Sequence, residues 1–109
     1  MDRNDGVAIS HIDAVTWEHD DETGGVVHML HVDDALQVGL WRPGTTAHTT
    51  IDVTLEARET LLVLSGKARL QVNDDPAYDL LPGNIVTLPR GARTRWVVDD
   101  AFSELWIYS

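Results

Sequence analysis

The sequence predicts an all-β protein, a sandwich or barrel of short strands folded as one domain. Its 109 residues, of which 43% are hydrophobic, suit a single globular core. No segment repeats apolar residues at the i, i+3, i+4 spacing of a long helix. Instead, short runs rich in β-branched and aromatic residues are separated by glycine, proline, asparagine and aspartate, the usual turn formers.

Ten runs are predicted as strands. In 67–73, alternate residues are apolar and the others charged or polar, which is typical of a half-exposed strand. The run 59–66 is apolar on both faces after Glu59, which suits a strand inside the fold, and Gly66 can take the positive φ of a tight turn. The predicted strands are 7–12, 26–32, 36–42, 49–55, 59–66, 67–73, 78–81, 84–89, 94–99 and 103–109.

Composition excludes several classes of partner. The net charge of −10 argues against nucleic acid, because phosphate binding needs a basic face. No run of about 18 apolar residues is long enough to span a membrane. There is no cysteine, so disulfides and thiolate metal sites are excluded. The charged start of the chain is not followed by the apolar stretch of a secretory signal, and we therefore expect a cytoplasmic protein.

Two spacings resemble the motifs of the cupin superfamily. Gly83, Pro89 and Gly91 reproduce the glycines and proline of the second cupin motif, G-x5-P-x-G-x2-H-x3-N. Glu59 and Gly66 reproduce the E-x6-G that ends the first motif. The chain is similar to cupins from residue 26 onward. The resemblance implies a single-domain cupin jelly-roll β-barrel at 26–109, preceded by a segment, 1–25, that leads into the fold and carries an edge strand.

Four short phrases narrow the resemblance to the subgroup of ureidoglycine aminohydrolase domains and ethanolamine-utilisation cupins. A Gly-Leu-Trp opens one strand, a Leu-Ser-Gly closes another, a Pro-Arg-Gly precedes a tryptophan, and the last strand is aromatic. These phrases are Gly39–Trp41, Leu64–Gly66, Pro89–Gly91 with Trp96, and Leu105–Tyr108. The fold implies no particular reaction, because one barrel hosts many chemistries.

The positions of the metal ligands depart from the cupin pattern. Thr94 stands where the second motif has its histidine, and the two histidines of the first motif fall on Asp52 and Thr54 or, in the alternative spacing, on two apolar residues. We therefore predict no cofactor. A divalent metal held by His48, Asp52 and Glu59 stays open as an alternative, because imidazole and carboxylate suit such an ion.

Strand parity instead predicts an organic pocket. If Thr94 faces the interior, so does Trp96, and from Glu59 the same parity carries Leu61 and Val63 inward. Apolar walls with a few polar groups are typical of small-molecule sites. The other predicted lining residues are Asp52, Thr54, Trp41 and Trp106.

Glu59 is the predicted catalytic group, with His48 as its candidate partner. An apolar interior raises the pKa of a carboxyl group and can make it an acid or base near neutral pH. The function predicted is binding of a small polar metabolite, with acid/base isomerase, cyclase, dehydratase or hydrolase chemistry that needs no metal. A non-catalytic binding or sensing cupin is the alternative, so enzymatic activity stays open. We also expect a homodimer formed through sheet contacts, with the run 7–12 extending a neighbour's sheet.

Overall fold

The computed structural model describes residues 6–44 and 50–109, and in these ranges the fold consists of strands and turns. Nine of the ten predicted strands are present with bounds within one or two residues of those expected. The strands are β1 Glu18–His19, β2 Val26–Val32, β3 Gln37–Arg42, β4 Thr50–Thr54, β5 Glu59–Ser65, β6 Ala68–Val72, β7 Tyr78–Leu80, β8 Ile85–Leu88, β9 Arg93–Val98 and β10 Ser103–Tyr108. The all-β prediction is confirmed.

The ten strands form two antiparallel sheets. One has six strands in the order β1-β2-β3-β10-β5-β8, and the other has four in the order β4-β9-β6-β7. The expected closed barrel is wrong, because within the described ranges no ladder joins the two sheets. The strands β7 and β8, at one end of each sheet, have only three and four residues, and the turn between them carries the chain from one sheet to the other. The fold is therefore a two-sheet sandwich.

The predicted strand at 7–12 is also wrong. Residues 7–11 are irregular, and a turn follows in which the Ala14 N–H donates to the His11 carbonyl over 2.9 Å. The Asp13 N–H donates to Nδ1 of the same histidine over 3.1 Å. Such local bonds compete with a strand ladder for the backbone. The edge strand of the N-terminal segment is instead β1, which pairs with β2.

The N-terminal segment lies on the outer face of the six-stranded sheet. The guanidinium carbon of Arg42 lies 4.3 Å from the centre of the Trp17 ring, within the range of a cation–π contact. His28 on β2 hydrogen-bonds the Thr16 carbonyl over 2.8 Å. Leu40, which by parity faces outward on β3, is only 6% exposed. These contacts bind the segment to the sheet. No helix in the described ranges has the length and apolar character that crossing a membrane requires.

The hydrophobic core fills the space between the sheets. Its most deeply buried side chains come from both layers and from the loop before β10; they are Leu61, Val63, Leu70 and Phe102. The outer face of the four-stranded sheet carries ion pairs instead, among them Arg95–Asp52 at 2.7 Å and Arg69–Asp79 at 3.1 Å. This division into an apolar inner face and a charged outer face is what the alternation of β6 and β9 predicts.

Two glycines determine where two tryptophans lie. A Cβ built on Gly39 would come within 2.5 Å of the Trp106 ring, and one on Gly25 within 2.6 Å of the Trp41 ring. Each indole therefore packs directly on bare backbone of a neighbouring strand or turn. A larger residue at either position would push its indole towards the space between the sheets.

We expect Gly39→Ala to destabilise the protein by roughly 1–3 kcal/mol, the usual cost of overpacking a core. The added methyl group overlaps the Trp106 ring, so the tryptophan fluorescence should change as well. Gly44→Ala is the matched control, because its new Cβ meets no atom closer than 3.5 Å. Urea denaturation measures both effects. Equal midpoints for Gly39→Ala and the unsubstituted protein would show that Trp106 does not pack as described.

Candidate functional site

A cavity of about 310 Å³ lies between the two sheets. Its walls combine aromatic and aliphatic side chains with a small number of carboxyl, hydroxyl and amide groups. The lining residues come from β2, β3, β4, β5, β9 and β10 and from the loops beside them: Asp20, Glu22, Thr23, Val27, Met29, Gln37, Trp41, Ile51, Val53, Glu59, Trp96, Val98, Phe102, Glu104, Trp106 and Tyr108. Apolar walls with few polar groups define the class of small-molecule sites.

The aromatic part of the wall consists of two groups of rings. Phe102 contacts two indoles, with ring centres 6.0 Å from Trp41 and 6.2 Å from Trp96. The rings of Trp106 and Tyr108 lie 4.7 Å apart. Tilted pairs at these separations are favourable. The three tryptophans predicted as lining residues, of which strand parity gave only Trp96, all reach the cavity: Trp41, Trp96 and Trp106.

Glu59 enters the cavity from the first position of β5. It is 5% exposed, and in the strand register it lies opposite Tyr108. Among the described residues, its carboxyl group has no hydrogen-bond partner or cation that would favour the ionised form. Loss of water therefore dominates, and burial raises the pKa of Glu59 from 4.5 to about 7. Near neutral pH, the group is present in both its protonated and its ionised form.

Glu104 is a second buried carboxyl group on the same wall. It is 8% exposed, faces inward on β10, and lies opposite Trp41 on β3 and Val63 on β5. Its Oε2 is buried and has no hydrogen-bond partner within the described part of the chain. Burial, and then the charge of Glu59, raise the pKa of Glu104 well above its ordinary value. Residues 6–44 and 50–109 supply no hydrogen-bonding group for this oxygen.

Polar groups of the loop between β1 and β2 form one rim of the cavity. The Trp41 indole N–H donates to the Thr23 hydroxyl over 2.9 Å, and that hydroxyl donates to Asp20 over 2.7 Å. This chain of bonds fixes the loop against the wall. Tyr108, at the end of β10, also lines the cavity. Its pKa is raised, first by burial and then by the nearby carboxylates, of which Glu59 has the largest effect. The Tyr108 hydroxyl therefore keeps its proton and stays a hydrogen-bond donor.

Three predicted residues are buried without lining the cavity. Leu61 and Val63 face inward, as parity predicted, but they belong to the core. Thr94 also faces inward, flanked by the exposed residues Arg93 and Arg95. Its hydroxyl donates to the Val53 carbonyl over 2.7 Å. Thr94 therefore joins β9 to β4 instead of presenting its hydroxyl to a ligand.

Two other predicted residues lie away from the cavity. Asp52 is on the exposed face of β4, where Arg95 donates to it over 2.7 Å and lowers its pKa. Thr54, at the end of the same strand, is exposed too and lines only a neighbouring surface depression. The predicted partner of Glu59, His48, lies outside the described residues.

The residues at the cupin metal positions do not fit a metal ion in this chain. The Thr94 hydroxyl is committed to a carbonyl, and Asp52 faces away from Glu59 and pairs with an arginine. Across residues 6–44 and 50–109, no three histidine, aspartate or glutamate side chains lie together in a way that would hold an ion. The donors seen at these positions therefore do not converge on one point.

Sequence reasoning missed Glu104, although the signal was present. The run 103–109 was predicted as a strand, and Trp106 was predicted to line the pocket. The period of two then places residue 104 on the same face. Glu59 was identified through the E-x6-G spacing, whereas no motif marks residue 104, and the parity of β10 was not followed to that position.

The comparisons with known proteins agree with this geometry. Two facing antiparallel sheets are the architecture of double-sheet jelly rolls, a class that includes the cupins. The sequence profile of the EutQ-like cupin domain matches residues 34–104, and the chain belongs to that family. The predicted membership of the cupin superfamily is thereby confirmed. No match was found among curated proteins.

Several solved structures share the fold. A protein described as ethanolamine utilization protein Q, from Salmonella typhimurium LT2, superposes with a TM-score of 0.83 at 14% identity, over 99% of this chain and 89% of its own. The EutQ protein of Clostridium difficile superposes with a TM-score of 0.73 at 18% sequence identity, over 97% of this chain and 89% of its own. An RmlC-like cupin from Shewanella frigidimarina NCIMB 400 superposes with a TM-score of 0.75 at 16% sequence identity, over 95% of this chain and 91% of its own. Identities this low establish the fold alone.

The raised pKa of Glu59 predicts a dependence of stability on pH. Between pH 4.5 and about 7, the folded chain keeps a proton that the unfolded chain has released, so the free energy of unfolding falls as the pH rises. The full loss is about 3 kcal/mol. Glu59→Gln should remove this loss and be the more stable protein at pH 8.

Glu56→Gln is the matched control, since Glu56 is exposed in the turn before β5. Urea denaturation of all three proteins at pH 5 and pH 8 measures the effect. A Glu59→Gln protein whose stability changes with pH as much as that of the unsubstituted chain would contradict an uncharged, buried Glu59.

Proposed function

We propose that this protein binds a small polar metabolite in the cavity between its sheets and that Glu59 moves a proton to and from it, without a bound metal or cofactor. The observation that carries the proposal is a buried carboxyl group whose pKa is about 7, inside a cavity large enough for a ligand. General acid/base catalysts work best when their pKa lies near the working pH. We propose the cytoplasm as the place of action.

The position of Glu59 supports proton transfer. Its carboxyl group lacks a partner in the described chain, so no ion pair or hydrogen bond has to break before it reaches a substrate. Tyr108 lies directly opposite in the strand register and keeps its proton. A ligand beside Glu59 can therefore meet an acid or base and a hydroxyl donor together. Isomerisation, cyclisation, dehydration and hydrolysis all use such a proton transfer.

Glu104 supports ligand binding at the other end of the wall. Even in the protonated form, a buried carboxyl oxygen without a partner is unfavourable by roughly 1–3 kcal/mol. A bound molecule that supplies the missing hydrogen bond recovers this free energy. On β10, Trp106 lies between Glu104 and Tyr108, the residue opposite Glu59, and all four side chains line the same cavity.

Binding without chemistry is the second candidate, and the unpartnered Glu104 favours it as much as it favours catalysis. A sensing module needs the cavity and Glu104, but it does not need a carboxyl group with a near-neutral pKa. The two functions therefore differ in their dependence on Glu59. The metal-dependent alternative would need Asp52 beside Glu59, whereas Asp52 pairs with Arg95 on the outer face.

We expect Glu59→Gln to abolish turnover while the fold is kept. In heavy water, the unsubstituted protein should exchange deuterium into one member of a mixture of small metabolites, detected by mass spectrometry. Glu59→Gln should slow this exchange about 10²- to 10⁴-fold, the usual contribution of a general acid or base. Glu56→Gln should exchange at the normal rate. Undiminished exchange by Glu59→Gln would overturn the proposal, and a ligand that binds and is recovered unlabelled would favour the binding function.

We also propose a homodimer. Large apolar side chains are exposed on both edge regions of the six-stranded sheet, with Val32 at 59% and Ile85 at 72% exposure. Covering such groups by a second copy would remove apolar surface from water. Residues 7–12 form no strand within the single chain, and their predicted pairing with a neighbour's sheet stays a prediction. Light scattering at micromolar concentration should give twice the mass of 12.1 kDa, and a monomeric mass would contradict the dimer.

A further inference from the structure

The cavity is lined by acidic groups that meet no basic partner there among residues 6–44 and 50–109. Four carboxyl groups reach it, from Asp20, Glu22, Glu59 and Glu104. No arginine, lysine or histidine is found among the lining residues in the part of the chain that the structure describes. The net charge of the whole chain, −10, adds to the negative potential inside. An anionic ligand would be repelled here, and a cation would be attracted.

The same cavity collects most of the aromatic side chains. Five of the seven phenylalanine, tryptophan and tyrosine residues of the chain line it. Rings attract cations through the negative potential of their faces, and tryptophan does so most strongly. Recognition of ammonium groups by aromatic cages uses this attraction. Acidic groups and tryptophans together are the combination that favours an organic cation.

The two kinds of group meet at Glu104. Its position lies opposite Trp41 on the neighbouring strand, and Trp106 is the next inward residue along β10. Phe102, just before the strand, contacts the Trp41 ring with a centre-to-centre distance of 6.0 Å. The buried oxygen without a partner therefore belongs to a carboxyl group whose neighbours on the inner face are aromatic.

We propose that the Glu104 end of the cavity binds the ammonium group of a small organic amine, either protonated or quaternary. This inference rests on the proposed function in one respect, since it leaves Glu59, at the other end of the wall, free to move the proton. A volume of about 310 Å³ is at the lower limit of small-molecule sites, so the ligand is a small amine and not an extended polymer.

A neutral sugar or polyol would fit the site less well. Such a ligand also stacks on tryptophan and hydrogen-bonds to carboxyl groups, but it brings no charge to balance Glu59 and Glu104. Removing an ionised carboxylate from water without a counter-charge is strongly unfavourable. A cation supplies that counter-charge and replaces the missing water, so the gain on binding is largest for a positively charged ligand.

Calorimetry with a matched pair of probes tests the proposal. Choline carries a quaternary ammonium group, and 3,3-dimethylbutan-1-ol is its neutral isostere; butylammonium and butan-1-ol form a second pair. At least one cation should bind roughly tenfold more tightly than its neutral isostere, or better. Failure of both cations to exceed their isosteres, including failure of every probe to bind at millimolar concentration, would overturn the proposal.

Two variants locate the effect. Glu104→Gln keeps the shape of the side chain but cannot ionise to meet a cation, and it should weaken cation binding roughly ten- to a hundredfold while leaving the neutral probes unaffected. Asp75→Asn removes one charge from an exposed loop between β6 and β7 and should bind as the unsubstituted chain does. Equal weakening by both variants would reduce the effect to overall charge and overturn the assignment to Glu104.

Proton release provides an independent readout. The groups that face the cavity and can titrate are Asp20, Glu22, Glu59, Glu104 and Tyr108. A bound cation favours the ionised form of a carboxyl group, so binding should release protons and strengthen as the pH rises from 6 to 8. Calorimetry in two buffers with different ionisation enthalpies counts these protons. Proton uptake on binding would contradict a cationic ligand.

The inference and the proposed function can fail separately. An NMR titration of the ligand-free protein gives the pKa of Glu59 directly. A value near 4.5 together with selective cation binding would reject proton transfer by Glu59 and keep the amine site. A value near 7 without selectivity for either cation would keep the proton-transfer proposal and reject the amine site.

Discussion

The structure depends on one constraint, which is that two carboxyl groups are held between sheets where no cation from the described part of the chain balances them. Burial raises the pKa of Glu59 and of Glu104, and the charge of the first raises that of the second further. Ionised carboxyl groups are costly in such surroundings, so an arrangement like this one lowers stability unless something else favours it. A ligand that meets these groups gives the arrangement a function.

The remaining features of the fold follow from the need to keep this space open and ordered. The tryptophans of the wall pack on bare glycine backbone, which fixes Trp41 and Trp106 without filling the cavity. The Thr94 hydroxyl on β9 donates a hydrogen bond to the Val53 carbonyl on β4 and so links the two strands. Arg95 and Arg69 form ion pairs with Asp52 and Asp79 on the outer face, so these two arginines do not neutralise the cavity.

Strand parity made much of the site predictable from the sequence. Glu59 and Trp96 are where alternation places them, because a half-buried strand has one possible inner face once a single residue is assigned. Asp52 was assigned through the spacing of a ligand motif instead, and it faces outward because its own strand alternates with Ile51 and Val53. Closure of the barrel depends on long-range pairing at the ends of the sheets, which no local pattern encodes.

The protonation state of Glu104 tests the central claim most directly. The infrared difference spectrum between the unsubstituted protein and Glu104→Gln, recorded at neutral pH, isolates the vibrations of this one carboxyl group. If the group is buried without a counter-charge, the C=O stretch of its protonated acid persists to a pH well above that at which an exposed carboxyl group ionises. A spectrum with only the bands of an ionised carboxylate would show that Glu104 is solvated or paired, and would contradict the account.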